Sequence, residues 1–282
     1  MTALTVSGTV RDKTGNVTAW STSADVSQQV AKFGRNFASG TVGVLPAGMQ
    51  GPTARIYFQP GDFTGSSQPT WTNQSLITEA LGRCATSFLF SMKDATTAAM
   101  TKWRAFLRSI PAAYRDDVWC VWMHEHEAKI RNGSLTFAAY DAGSDMVRAA
   151  TQAEGFKFGP LHNGLNRNAA DTAWIFGSYV EPTNLALCDF WALDCYDDNG
   201  KGAASLFFSS TGWWNYAQAT GKPILVGEYG TPTGPNQATI AAGMRAECAA
   251  RPQIKLVHYW DQWFTGNPDY RMTAATQTAW LT

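Results

Sequence analysis

The chain has 282 residues, 45% of them hydrophobic, with 22 basic side chains balanced by 22 acidic ones. That length suits one α/β barrel, for which ~250 residues is typical, and the apolar share can fill one large core. The cancelled charge removes the electrostatic footprint of a nucleic-acid or anionic-membrane binder.

Residues 1–37 differ from the rest of the chain. They are rich in Ser, Thr, Val and Gly and carry the turn signal DKTGN at 12–16, as in a short hairpin or arm. This stretch is read as an extension able to dock on a particle or oligomer partner. The start, MTALTVSGTVRDKTGN, shows no basic-then-apolar leader, and no run approaches the ~18 apolar residues of a membrane span. The expectation is a soluble protein without membrane contact, kept in the producing cell or exported within a particle such as a virion.

Beyond residue 37, short β-rich runs alternate with helix-like stretches, the pattern of repeated βα units around a parallel sheet. Strands are expected at TVGVL (41–45), ARIYF (54–58), TSFLFSM (86–92) and VWCVWMH (118–124). FKFGPLH (156–162), CDFWALDCY (188–196), PILVGEY (223–229) and KLVHYW (255–260) complete eight. Helices are expected at 73–82, 97–109, 134–153, 203–220 and 236–250, with Asn73 and Thr97 as N-caps. Eight strands can close by pairing the last with the first, so the expected fold is α/β, a single (β/α)8 TIM barrel over 38–282 behind the 1–37 arm. Cys84, Cys120, Cys188, Cys195 and Cys248 are odd in number and lack CxxC spacing, which argues against a zinc ribbon or dense disulfide framework. Cys120 and Cys188 fall inside strands and read as buried thiols, with room left for one bridge.

Reactive groups in such barrels gather at the C-terminal strand ends. Lys93 and Asp94 follow strand three, HEHE (124–127) follows four, and His162 and Asn163 follow five. Asp194, Tyr196, Asp197 and Asp198 follow six, Glu228 and Tyr229 seven, Trp260, Asp261 and Trp263 eight. Two carboxylates offered by two strand ends are what glycosidic bond cleavage requires, and Glu228 with Glu125 or Glu127 supplies them. Strand alternation puts Glu125 and Glu127 on one face, so periodicity does not choose between them. With 12 Trp, 9 Tyr and 15 Phe, the chain also has aromatic faces to spare for pyranose rings, though core packing accounts for such an excess equally well. Glu228 has its own bland reading, a strand-end carboxylate paired with a basic side chain such as Arg55.

WMHEHE and KPILVGEYG resemble the strand-four and strand-seven ends of the large clan of retaining glycosidase barrels. His-Glu in place of the clan's usual Asn-Glu is similar to glycoside hydrolase family 26, the β-mannanases and related endo-glycanases. DFWALDCYD (189–197) is similar to that family's strand-six run, and the resemblance spans roughly residues 40–264. It implies an endo-acting, retaining hydrolase of β-glycosidic bonds in a polysaccharide or cell-surface glycan, needing no cofactor. It assigns Glu125 as acid/base, Glu228 as nucleophile and Tyr196 as hydrogen-bond donor to Glu228. His124, Glu127, His162, Asn163, Tyr196, Asp197, Trp260 and Trp263 are the expected substrate contacts. HEHE lacks the family's Met-Asn-Gly continuation, which leaves the sugar open.

Two other readings fit the same residues. His124, His126, His162 and Asp261 would suit a metal-dependent barrel hydrolase, although the HxH pair then falls on strand four and Glu228 has no task. A carbohydrate-binding or structural barrel of a phage tail would use the arm and leave the carboxylates idle.

Overall fold

The computed structural model describes residues 3–11, 17–25, 32–37, 53–59, 61–82, 85–124, 126–163, 186–197, 208, 213–261 and 268–281. Chain contacts divide the protein into residues 1–30 and 31–282. In the first unit, β1 (Ala3–Arg11) and β2 (Val17–Asp25) pair antiparallel, Ala3 facing Asp25 and Arg11 facing Val17.

The second unit is built on one all-parallel sheet. Its strands are β3 (Lys32–Phe37), β4 (Thr53–Tyr57), β5 (Ser87–Met92), β6 (Val118–Trp122), β7 (Lys157–Phe158), β8 (Leu161–Asn163), β9 (Trp191–Tyr196), β10 (Ile224–Gly230) and β11 (Ile254–Tyr259). β11 pairs with β3, so the last strand meets the first. β7 and β8 are one barrel strand in two pieces, the first pairing with β6 and the second with β9. The break falls at Gly159–Pro160: proline carries no N–H for the ladder, and a Cβ on Gly159 would lie 2.3 Å from the Phe190 carbonyl oxygen. Counting that pair once gives eight strands and a closed barrel.

Among the described residues the helices are α1 (Ser75–Gly82), α2 (Thr97–Arg108), α3 (Ala112–Arg115), α4 (His126–Arg131), α5 (Phe137–Gln152), α6 (Trp213–Ala219), α7 (Gln237–Ala249) and α8 (Ala274–Leu281). No helix among the described residues is long and apolar enough to cross a membrane. Thr96, one residue before the expected cap, accepts the Ala99 N–H at the start of α2, and Thr136 does the same for α5. Asn73 instead closes the preceding turn by accepting from Thr70 N.

Two expectations shift. The first sheet strand is Lys32–Phe37, inside the expected arm, while 41–45 lies outside the described residues. KFGRNF has three strongly polar residues and no β-branched one, so it lacks the apolar run by which buried strands are read; pairing with β11 and β4 identifies it. The second concerns HEHE. Strand β6 stops at Trp122, Met123 takes a left-handed φ of 49°, and α4 begins at His126. Glu127 therefore stands in the first turn of a helix, where strand alternation does not apply, and Glu125 lies outside the described residues.

Strand alternation sorts the core into two parts. Leu89, Trp119, Val121, Leu161, Ala192, Leu225 and Leu256 form a cluster within the barrel, while Ile56, Phe88, Phe90, Cys120, Trp191, Val226 and Val257 pack outward against the helices. Above the inner apolar layer the inward positions turn polar, and there the candidate site begins.

Candidate active site

On β4, Ala54, Ile56 and Phe58 belong to the outer core, which leaves Arg55 and Tyr57 on the inward face. On β9 the same alternation places Asp194 and Tyr196 inward, and on β5 Ser91. Arg55 is entirely buried. Its Nη1 donates to Asp194 Oδ1 at 2.8 Å and its Nε to Ser91 Oγ at 3.3 Å. The same Nη1 stands 3.0 Å from Glu228 Oε1.

Glu228 reaches this group through a break in register. Leu225 faces the interior and Val226 and Tyr229 the outer core, so strict alternation would turn Glu228 outward. β10 shifts register against β9 between Val226 and Glu228, and against β11 between Val226 and Tyr229. Such a bulge re-aims one side chain. Gly227 makes the bulge fit: a Cβ there would lie 2.6 Å from Asp194 Oδ1, 2.6 Å from Leu161 Cδ1 and 3.0 Å from Arg55 Nη1.

Both oxygens of the Glu228 carboxylate accept from tyrosines, Oε1 from the Tyr57 hydroxyl and Oε2 from the Tyr196 hydroxyl. Burial raises the Glu228 carboxyl above its ordinary range, and Arg55, the Tyr57 hydroxyl and Lys93 pull it partway back. Burial also pushes the Tyr57 phenol well above its usual range, so it remains a proton donor. The guanidinium stacks 4.6 Å from the centre of the Tyr57 ring. His124 and Trp260, both half-buried, meet the same ring edge-on with centroids at 4.9 and 6.3 Å. Burial, then the charge of Arg55, pushes the His124 imidazole well down, which leaves it neutral. The result is a carboxylate at the barrel mouth, 4% exposed, ringed by Arg55, two phenols, an imidazole and an indole.

A second polar group lies where α4 meets β8. His162 Nδ1 and Glu127 Oε1 are 3.0 Å apart, and His126 Nδ1 is 3.6 Å from Glu127 Oε2. All three side chains are buried, with His126 stacked on Tyr140 at 3.8 Å and His162 on Trp191 at 6.0 Å. Burial alone would raise the Glu127 carboxyl; His126 and the bond with His162 outweigh it and hold it at about 2. Burial pushes His126 down to about 4.

Among the described residues this is the one group of three or more with metal-ligating atoms gathered, all within 4.8 Å of one another. Tetrahedral zinc at ~2.0–2.1 Å from its donors would need them roughly 3.3 Å apart. The looser spread and the direct Glu127–His162 contact describe a hydrogen-bonded anchor for α4 better than a coordination sphere. The set His124, His126, His162 and Asp261 does not gather: Asp261 Oδ1 accepts from Met272 N at 2.7 Å, and His124 packs on Tyr57.

Of the expected site residues, Glu228, Tyr196, His124 and Trp260 come together around one carboxylate. Glu127 and His162 pair with each other in the interior. Asp197 is fully buried beside the barrel end, its N–H donating to the Gly230 carbonyl at 2.8 Å. Glu125 and Trp263 lie outside the described residues, as does the side chain of Asn163. Tyr57 is absent from the expected set; its signal was the i, i+2 relation to Arg55 on a strand whose other residues are apolar.

No protein-family model matches the chain, and no curated protein sequence does. Solved structures do. A GH26 β-mannanase from Bacteroides ovatus superposes with a TM-score of 0.58 at 12% identity, over 90% of this chain and 87% of that one. An endo-β-1,4-mannanase from Thermotoga petrophila gives 0.57 at 10% identity, over 89% and 76%. A triple mutant of an endo-β-1,4-glucanase from Xanthomonas axonopodis pv. citri gives 0.55 at 13% identity, over 89% and 98%. At such identities the likeness is one of fold: the chain is a (β/α)8 barrel similar to those of several glycoside hydrolases.

Proposed function

We propose that the protein is a retaining glycoside hydrolase acting on β-linked polysaccharide, with Glu228 as nucleophile and Glu125 as acid/base. The observation that carries this reading is a surplus of negative charge. Arg55 is already neutralised by Asp194 at 2.8 Å, inside the barrel. A structural ion pair needs one carboxylate; Glu228 is a second, also nearly buried, and desolvating it is costly. Its bulge, the glycine beneath it and the two tyrosines make sense as the placement of a reactive oxygen.

In the proposed chemistry, Glu228 attacks the anomeric carbon while Glu125 protonates the departing glycosidic oxygen, which forms a glycosyl-enzyme. Glu125, now a base, takes a proton from water, and that water's oxygen displaces Glu228 from the sugar. Arg55, Tyr57 and Tyr196 hold Glu228 ionised until it attacks. Trp260 and His124, beside Tyr57, suit the apolar face and a hydroxyl of one sugar ring. Glu127 and His162 act more remotely, holding the start of α4. Residues 1–30, a unit with a hairpin of its own, supply the partner contact in this reading.

A panel of mannans, glucans and xylans tests the proposal. The wild-type protein should release reducing ends from at least one of them with the anomeric configuration retained. Glu228→Gln and Glu125→Gln should each lose about a thousandfold or more, roughly 4 kcal/mol of barrier. Glycan binding with no release of reducing ends by the wild type would favour the lectin-like barrel. Activity that requires stoichiometric zinc would favour the metal hydrolase.

A further inference from the structure

We infer that Tyr270, on the segment that returns after the last barrel strand, is a positioning residue for the nucleophile, acting through Tyr196. The inference rests on the reading of Glu228 as nucleophile and names a part of that site which no strand end supplies.

Tyr270 is 6% exposed, and its ring lies 5.2 Å from that of Tyr196, tilted by 47°. Between them is Gly230, the last residue of β10. A Cβ on Gly230 would stand 2.9 Å from Tyr270 Cδ1 and 3.0 Å from Tyr196 Cδ1. The missing side chain is thus the space that lets the two rings meet above the strand carrying Glu228. Tyr196 is half-buried, and a phenol ring free on one side would swing about its χ1 and lose its aim. Tyr270 fills that side.

The segment bearing Tyr270 is itself held at several points. Asp269 O accepts from Thr233 N at 2.6 Å, and Asp261 Oδ1 accepts from Met272 N at 2.7 Å. Gln237, 1% exposed, donates to Arg271 O at 3.0 Å and accepts from Thr273 N at 3.1 Å. Backbone strapped on both sides of Tyr270 leaves its ring little freedom. A chain of contacts therefore runs from the strap to Tyr270, to Tyr196, to the Oε2 atom of Glu228.

The test reads the Glu228 carboxyl directly, by titrating protein labelled with carboxyl-13C glutamate, in wild type, Tyr270→Ala, Tyr270→Phe and Gly230→Ala. Losing the aim of Tyr196 removes a hydrogen bond to the ionised form, so the pKa of Glu228 rises. Expected are a rise of about one pH unit in Tyr270→Ala and in Gly230→Ala, and recovery in Tyr270→Phe, which keeps the ring. On a cleavable glycan, Tyr270→Ala should lower kcat about tenfold with KM within about twofold, and its acid limb should move up with the titration. Combined with Tyr196→Phe, Tyr270→Ala should add nothing further. Overturning results are an unmoved Glu228 titration in a folded Tyr270→Ala, or losses that add in the double variant. Should the wild type cleave no glycan, the hydrolytic reading falls, while the titration still decides whether Tyr270 governs the carboxylate.

Discussion

Arg55 Nη1 and Asp194 Oδ1 meet at 2.8 Å with neither side chain exposed to solvent. The pair spans the barrel from β4 to β9 and forms the floor on which Glu228 rests. Replacing Asp194 by Asn keeps an acceptor near Arg55 but removes one negative charge, so the Glu228 carboxyl should titrate lower and the acid limb of activity should move down. Replacing Arg55 by Met leaves two buried carboxylates without their cation and should cost about 3–5 kcal/mol in urea unfolding. An Arg55→Met variant as stable as wild type would mean that the charges are solvated rather than locked in a dry ion pair.

The surplus carboxylate makes an unusual stability prediction. Glu228→Gln keeps both tyrosine contacts in altered form and removes the second negative charge beside Arg55, which Asp194 already pairs. The variant should be inactive yet at least as stable as wild type, by about 1 kcal/mol or a Tm gain near 2–4 °C. A drop in Tm of that size would instead mark Glu228 as a structural partner of Arg55.

Most of the barrel is visible in the amino-acid pattern, because seven of its strands are apolar runs of the right length between helix-forming stretches. The one misplaced, Lys32–Phe37, lacks that composition and is defined by pairing on both sides. The strand-seven glutamate is legible for the same reason: PILVG reads as buried strand up to its last residues. Its inward aim is not, since alternation turns Glu228 outward and only the bulge at Gly227 brings it back. HEHE misleads in the opposite sense, because a left-handed Met123 ends the strand before alternation can apply. Tyr270 carries no local signal at all; its partner Tyr196 is 74 positions earlier and the contact exists only in the folded barrel.

Acid should weaken the fold through two imidazoles. Burial lowers His126 to about 4 and His258 to about 3, and His258 is bonded to Thr53 Oγ1 at 3.0 Å. In the unfolded chain both take up a proton near pH 6.5, whereas the folded protein keeps them neutral well below that. The unfolded state therefore binds more protons, and stability falls as the pH is lowered from about 6.5 toward 4. Between pH 7 and 5 each imidazole should contribute about 2 kcal/mol of loss. Urea unfolding at the two values measures the sum, to which the lowered His124 adds in the same direction, and histidine NMR titration checks that the His126 and His258 rings stay neutral at pH 5. Rings that titrate near 6.5 in the folded protein would remove the basis for the effect.

Gln237 offers the clearest separation of packing from hydrogen bonding. Its amide nitrogen reaches Thr231 O at 3.0 Å, the Tyr259 hydroxyl at 3.2 Å and Arg271 O at 3.0 Å. Its oxygen accepts from Thr273 N at 3.1 Å and Thr276 Oγ1 at 2.7 Å. Leu in its place matches the volume and leaves several of those partners buried without a bond, each a desolvation cost of about 1–3 kcal/mol. We expect Gln237→Leu to lose roughly 3 kcal/mol and 5–10 °C in Tm. Because the same amide straps the segment that carries Tyr270, the surviving folded fraction should also show a raised acid limb, smaller than that of Tyr270→Ala. A variant that loses stability but keeps the wild-type pH profile would show that the strap holds the fold together without steadying Tyr196.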